Sequence, residues 1–127
     1  MKAIVVVTTV GTQEQANLIA EELVIGRLAS CVNILPVHRS VYLWNGKICD
    51  DQELLLIVKT TRRQYPQVEA TIQELHNYDL PEILAFDVAM GEKNFLEWIE
   101  QSVTGVPDPR DEVIFEGGPI DTSDAPL

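Results

Sequence analysis

Few side chains in this chain are suited to chemistry, and they are scattered. His38, His76, Cys31, Cys49 and the acidic run Asp50-Asp51-Gln52-Glu53 stand out among 127 residues. His76 has two readings. Near the end of a helical segment its ring can bond a free carbonyl and its charge suits the helix dipole. Alternatively it is one ligand of a divalent ion, with carboxylates such as Glu53 or Glu82 supplied by the fold or a neighbouring chain. Imidazole suits both copper and zinc, and an ion on so sparse a set is expected to be weakly held and not required for folding. A second candidate is a small-ligand pocket of Trp44, Tyr78 and Trp98 with Lys59 and Glu82, because aromatic walls with few polar groups favour small molecules. Core packing is the competing account of the tryptophans. His38 is expected opposite Glu53, as a cross-strand ion pair.

Composition removes several classes of function. A net charge of −11 argues against nucleic acid, since phosphate neutralisation needs clustered Lys and Arg. There is no Gly-rich phosphate loop, no zinc-spaced Cys and His set and no motif-placed nucleophile, so the chain does not read as an enzyme. No apolar run approaches the ~20 residues of a membrane span, and Ala3 to Val7 is too short for a signal-peptide core. Two cysteines without a CxxC suit a reducing compartment. A cytoplasmic protein without a membrane partner is expected.

The elements that must position these residues follow from periodicity. Lys2 to Thr9 is a β-branched run that reads as a strand buried on both faces. Thr12 and Gln15 form a T-x-x-Q capping box, after which Ala16, Ile19, Ala20, Leu23 and Val24 recur at helical spacing until Gly26. A second box, Thr61 with Gln64, opens a helix carrying Tyr65, Val68, Ile72 and Leu75. Between them, Ser30 to Thr60 is broken by Asn45-Gly46, the preferred dipeptide of a type I′ hairpin loop. With Trp44 facing Lys47, Tyr42 falls against Cys49, His38 against Glu53, Val37 against Leu54 and Cys31 against Thr60, provided Pro36 introduces no bulge. Ile83 to Met90 is expected as a fourth strand and Glu92 to Val103 as a last helix.

This order is a ferredoxin-like βαββαβ, or split βαβ, plan: α+β, with an antiparallel sheet, a long central hairpin and an appended C-terminal helix. It occupies residues 1–105. From Val106 to Leu127 the chain turns acidic and Pro/Gly-rich, with six acids and one base, and reads as a solvated tail unless Glu112 to Phe115 docks as an edge strand. Each arm of the hairpin is far longer than the usual five or six residues, and the body is too small to cover it. A bare ribbon rich in Val41, Tyr42, Leu43 and Trp44 would be aggregation-prone, so a closed homo-oligomer is expected, with the aromatic pocket between subunits.

From about Ile4 to Val103 the sequence resembles the CutA divalent-cation-tolerance family. The resemblance is carried by Leu28-Ala29-Ser30-Cys31-Val32-Asn33, Tyr42-Leu43-Trp44-Asn45-Gly46-Lys47, Lys59-Thr60-Thr61 and Tyr78-Asp79-Leu80-Pro81-Glu82. It implies a homotrimer built by strand pairing between subunits and an association with copper and other divalent ions. The family's copper-linked cysteine corresponds here to Thr8, and its paired histidines to Leu75 and His76, so only His76 matches. A non-catalytic trimer for divalent-cation binding and tolerance is the leading expectation. The alternative is a signalling trimer resembling the PII proteins, which bind small molecules between subunits.

Overall fold

The computed structural model describes residues 2–106. Its elements are β1 (Ala3–Val10), α1 (Gln13–Ile25), β2 (Cys31–Trp44), β3 (Lys47–Thr61), a 3-10 turn (Arg62–Gln64), α2 (Tyr65–Leu75), β4 (Leu84–Asp87) and α3 (Lys93–Ser102). The strands form one antiparallel sheet in the order β2-β3-β1-β4. That is the expected α+β, split βαβ plan with α3 appended. Residues 107–127, including the segment from Glu112 to Phe115, lie outside the described residues.

Alternation along the central strands sets the core. Ile4, Val6 and Val10 of β1 and Leu56 and Val58 of β3 point to one face, where Ala16, Ile19 and Leu23 of α1 and Val68 and Ile72 of α2 cover them. Val5, Val7 and Thr9 point the other way and are only half-buried. β1 is therefore buried on one face of the chain, not on both. Its β-branched content made the two cases look alike in sequence.

Local chemistry explains where α1 begins and ends. Thr12 is extended, with φ −139°, and its hydroxyl accepts from the Gln15 N–H at 3.1 Å. The Gln15 side chain does not return the bond; its amide donates to the Leu75 carbonyl at 2.7 Å and so ties α1 to the end of α2. At the other end Arg27, with φ 54°, takes the left-handed position, while Gly26 keeps φ −75°. The Leu28 N–H then reaches the Leu23 carbonyl at 2.9 Å, as in a Schellman stop.

The second capping box does not form. Thr61 is still in β3, paired with Ala3, and its buried hydroxyl has no partner among the described residues. The 3-10 turn intervenes, and α2 starts at Tyr65 with Pro66 in its first turn. β4 spans Leu84–Asp87, shorter than the expected Ile83 to Met90, because only Ile4 to Val7 of β1 pair with it. α3 is capped by the Glu92 carboxylate, which accepts from the Asn94 and Phe95 N–H groups at 3.0 and 2.8 Å.

In the hairpin, Asn45 and Gly46 have φ 51° and 75°, the signature of a type I′ turn. The expected register holds from Trp44↔Lys47 to Ser40↔Asp51. Between Val37 and Ser40 a β-bulge sets His38 and Arg39 against Gln52 alone, and pairing resumes one step displaced, with Val37 opposite Glu53 and Cys31 opposite Lys59. The expected pairs His38 with Glu53, Val37 with Leu54 and Cys31 with Thr60 are thus displaced, by a bulge just beyond Pro36. Since β1 stops pairing at Val10↔Leu54, the ribbon beyond that point has no third strand beside it among the described residues.

Candidate functional site

The hairpin register decides which side chains share a face. In β3 the odd residues Asp51 and Glu53 point away from α1 and α2, as their neighbours Leu55 and Ile57 do. Pairing with Asp51, Cys49 and Lys47 puts Ser40, Tyr42 and Trp44 on that same side, and the bulge takes His38 out of line with Glu53. The Tyr42 hydroxyl donates to the Asp51 carboxylate. Behind them, the Arg39 guanidinium pairs with Asp50 at 2.8 Å.

The opposite wall is the loop that follows α2. His76 closes the helix, its N–H bonding the Ile72 carbonyl at 2.9 Å. Its Nε2–H donates to the Thr9 carbonyl at 2.7 Å, and its Nδ1 accepts from the Tyr78 N–H at 3.1 Å. Thr9 lies past the last β1–β4 pair, Val7↔Leu84, so the ring takes the place that a longer β4 would have filled. Tyr78 packs against His76, ring centroids 4.6 Å apart, and its hydroxyl donates to Glu53 at 2.9 Å. A Cβ at position 11 would sit 3.1 Å from that hydroxyl oxygen, so Gly11 leaves the room Tyr78 needs to reach the hairpin.

Both phenols are pushed up to about 12. For Tyr42 the hydrogen bond to Asp51 is the main cause; for Tyr78 burial comes first, then the bond to Glu53. Between loop and hairpin lies a cavity of about 760 Å³, lined by the three rings of Tyr42, Trp44 and Tyr78 and the four carboxylates of Asp51, Glu53, Asp79 and Glu82, with no Lys, Arg or His among the described residues that line it. At neutral pH the phenols are neutral donors that orient two of the carboxylates, so the arrangement attracts cations.

Of the residues expected to bind metal, Glu53 and Glu82 line this cavity. His76 lies behind Tyr78 with both ring nitrogens engaged, so it has no lone pair free for a metal. Among the described residues, no three His, Cys, Asp or Glu side chains gather closely enough to hold an ion within one chain. Of the expected aromatic pocket, Trp44 and Tyr78 meet here. Lys59 and Trp98 belong elsewhere: the Lys59 ammonium lies 5.8 Å from the Phe95 ring centroid, and Phe95 lies 5.5 Å from Trp98. His38 is out of register with Glu53 and is not in the cavity. Sequence reasoning missed Tyr42 as a wall residue; the signal was there, since the expected pairing of Tyr42 with Cys49 already puts Tyr42 on the Asp51 face.

A family model described as CutA1 divalent ion tolerance protein matches residues 4–102. The divalent-cation tolerance protein CutA of Thermus thermophilus is 45% identical over 98 residues, covering 77% of this chain and 95% of that protein. The chloroplastic protein CutA of Arabidopsis thaliana is 39% identical over 100 residues, or 79% of this chain, which spans 55% of that relative's length. Among solved structures, the divalent cation tolerance protein Cut A1 from Thermus thermophilus superposes with a TM-score of 0.77 at 44% identity, over 80% of this chain and 98% of that one. CutA1 from Oryza sativa gives 0.78 at 37% identity, over 81% and 94%.

Proposed function

The chain belongs to the CutA1 divalent ion tolerance family, and we propose that it works without catalysis, as a homotrimer that holds divalent cations weakly at the acid-lined cavity beside its hairpin. One observation carries this reading: among the described residues, four carboxylates and no base face a single cavity, which raises the local concentration of any cation. Glu53 and Glu82 are the first donors. Groups from a neighbouring chain complete the set, since one chain offers no cluster of three among its described residues. Copper and zinc are the ions we expect, and folding does not depend on them.

The part of the second sheet face that the described residues leave exposed supports assembly. Leu35, Leu84 and Phe86 point away from α1 and α2 and are 41, 51 and 55% exposed, an apolar area of the kind that copies of a chain bury against each other. We place the protein in the cytoplasm, with neither membrane nor nucleic acid as partner; no helix among the described residues is long and apolar enough to cross a membrane. Light scattering combined with calorimetric titration of copper and zinc on one sample tests the proposal. A monomer, or a trimer that takes up neither ion, would refute it. A second reading, a PII-like trimer binding a small molecule, draws on the cavity's size, which lies within the range of small-ligand sites. ATP in the same titration separates the two.

A further inference from the structure

The cavity is larger than a single hydrated ion fills. A divalent cation with six waters fills roughly 180 Å³ at about 30 Å³ per water, whereas the cavity holds about 760 Å³. Its carboxylates also do not converge. Asp51 and Glu53 sit two residues apart on one face of β3, a spacing of roughly 7 Å at strand rise, and Asp79 and Glu82 stand on the facing loop. None of the four is in an ion pair among the described residues. Asp51 accepts from the Tyr42 hydroxyl and Glu53 from that of Tyr78 through one oxygen each, which leaves a second oxygen on each to accept from a ligand. Between these charges lie the rings of Tyr42, Trp44 and Tyr78. Aromatic faces attract ammonium groups and cover methylene stems. Spaced acceptors joined by such walls suit several cationic heads linked by alkyl chain. A nucleotide meets the opposite field, with four carboxylates and no basic side chain to receive its phosphates.

We propose that this cavity binds a linear aliphatic polyamine, with ammonium groups on Asp51, Glu53 and the loop carboxylates and methylenes against Tyr42, Trp44 and Tyr78. The ligand goes beyond the metal reading and does not depend on it, although both use the same cavity. The experiment is calorimetric titration of the full chain with spermidine, with Trp44 fluorescence as a second readout. Saturable binding is expected, weakened about fivefold or more by Glu53→Gln through loss of a charged acceptor and by Trp44→Leu through loss of the ring face. Glu53→Gln keeps an oxygen for the Tyr78 hydroxyl, so the wall should stand. Glu21→Gln, on the exposed side of α1, should bind as the parent does. Equal affinity in all four proteins would mean diffuse attraction to an acidic surface and would overturn the proposal, as would saturable ATP binding with none for spermidine. Zinc or copper uptake without spermidine binding removes the polyamine alone. Spermidine binding without metal uptake removes the metal reading alone.

Discussion

His76 shows how one imidazole can be wholly consumed by structure. Its two nitrogens join the end of β1, through the Thr9 carbonyl, to the start of the Tyr78 loop, through the Tyr78 N–H. His76→Ala leaves a half-buried carbonyl and an amide without partners, so it should cost about 1–3 kcal/mol of stability. Copper and zinc titrations should change little, and a large loss of metal affinity at unaltered stability would show that the ring is a ligand. The phenols make a separate prediction about pH. Tyr78 and Tyr42 are pushed from 10.0 up to about 12 in the folded chain, so between those values the unfolded chain releases protons that the folded chain retains. Their contribution to stability is fully present below pH 10 and is lost as pH rises through about 12. Melting temperature should therefore fall over that interval, and Tyr78→Phe should make the fall shallower. Identical slopes in the two proteins would show that Tyr78 does not titrate as its burial and its bond to Glu53 require.

At the scale of elements, the hairpin is held at its tip by two left-handed residues. Gly46 has φ 75° and nothing within 4 Å of a Cβ built there, so Gly46→Ala adds conformational strain without a clash. The expected cost is about 1–2 kcal/mol, measured by denaturant unfolding, while Asn45→Gly should be close to neutral because glycine also accepts φ 51°. A neutral Gly46→Ala would mean the turn relaxes to another type. This turn was legible in the sequence because its chemistry is local, and the same holds for Thr12 and the start of α1. Thr61-Gln64 has the same capping pattern, yet β1 pairing keeps Thr61 in its strand; a long-range ladder overrode a local motif. The bulge at His38 and Arg39 was foreseen only as a risk at Pro36, since register depends on how both arms meet the body. It also shaped the site: in a uniform register Glu53 looks like a partner for His38, although it bonds Tyr78, twenty-five residues away. The short β4 was missed because its pairing limits come from β1, not from its own apolar run.

At the scale of the whole molecule, α1 and α2 cover one face of the sheet, while among the described residues the other face is closed around Ala3 and Thr61, on the side of α3, and exposed at Leu84 and Phe86; assembly should act on that exposed part. Val5 and Val7 share it with Phe86 and Leu84, their direct partners across β1 and β4. Phe86 is 55% exposed in the isolated chain, so Phe86→Glu should be tolerated by the subunit fold. In the proposed trimer the substitution places a carboxylate in each interface with no cation to meet it, a penalty of several kcal/mol per ion, and it forfeits roughly 1.5–3 kcal/mol of burial per phenylalanine. Repeated around a closed ring, that loss should convert trimer to monomer in light scattering while far-UV circular dichroism keeps the subunit's signature. Leu18→Glu is the matched control: Leu18 is 44% exposed on α1, on the far side of the chain from Phe86, and should leave the mass at three chains. Dissociation by both variants would mean that added charge alone breaks the particle. A Phe86→Glu protein that remains trimeric would place the interface elsewhere, on the projecting ribbon where Leu43 and Ile48 stand opposite each other, and would leave the exposed part of the sheet face without an assigned partner.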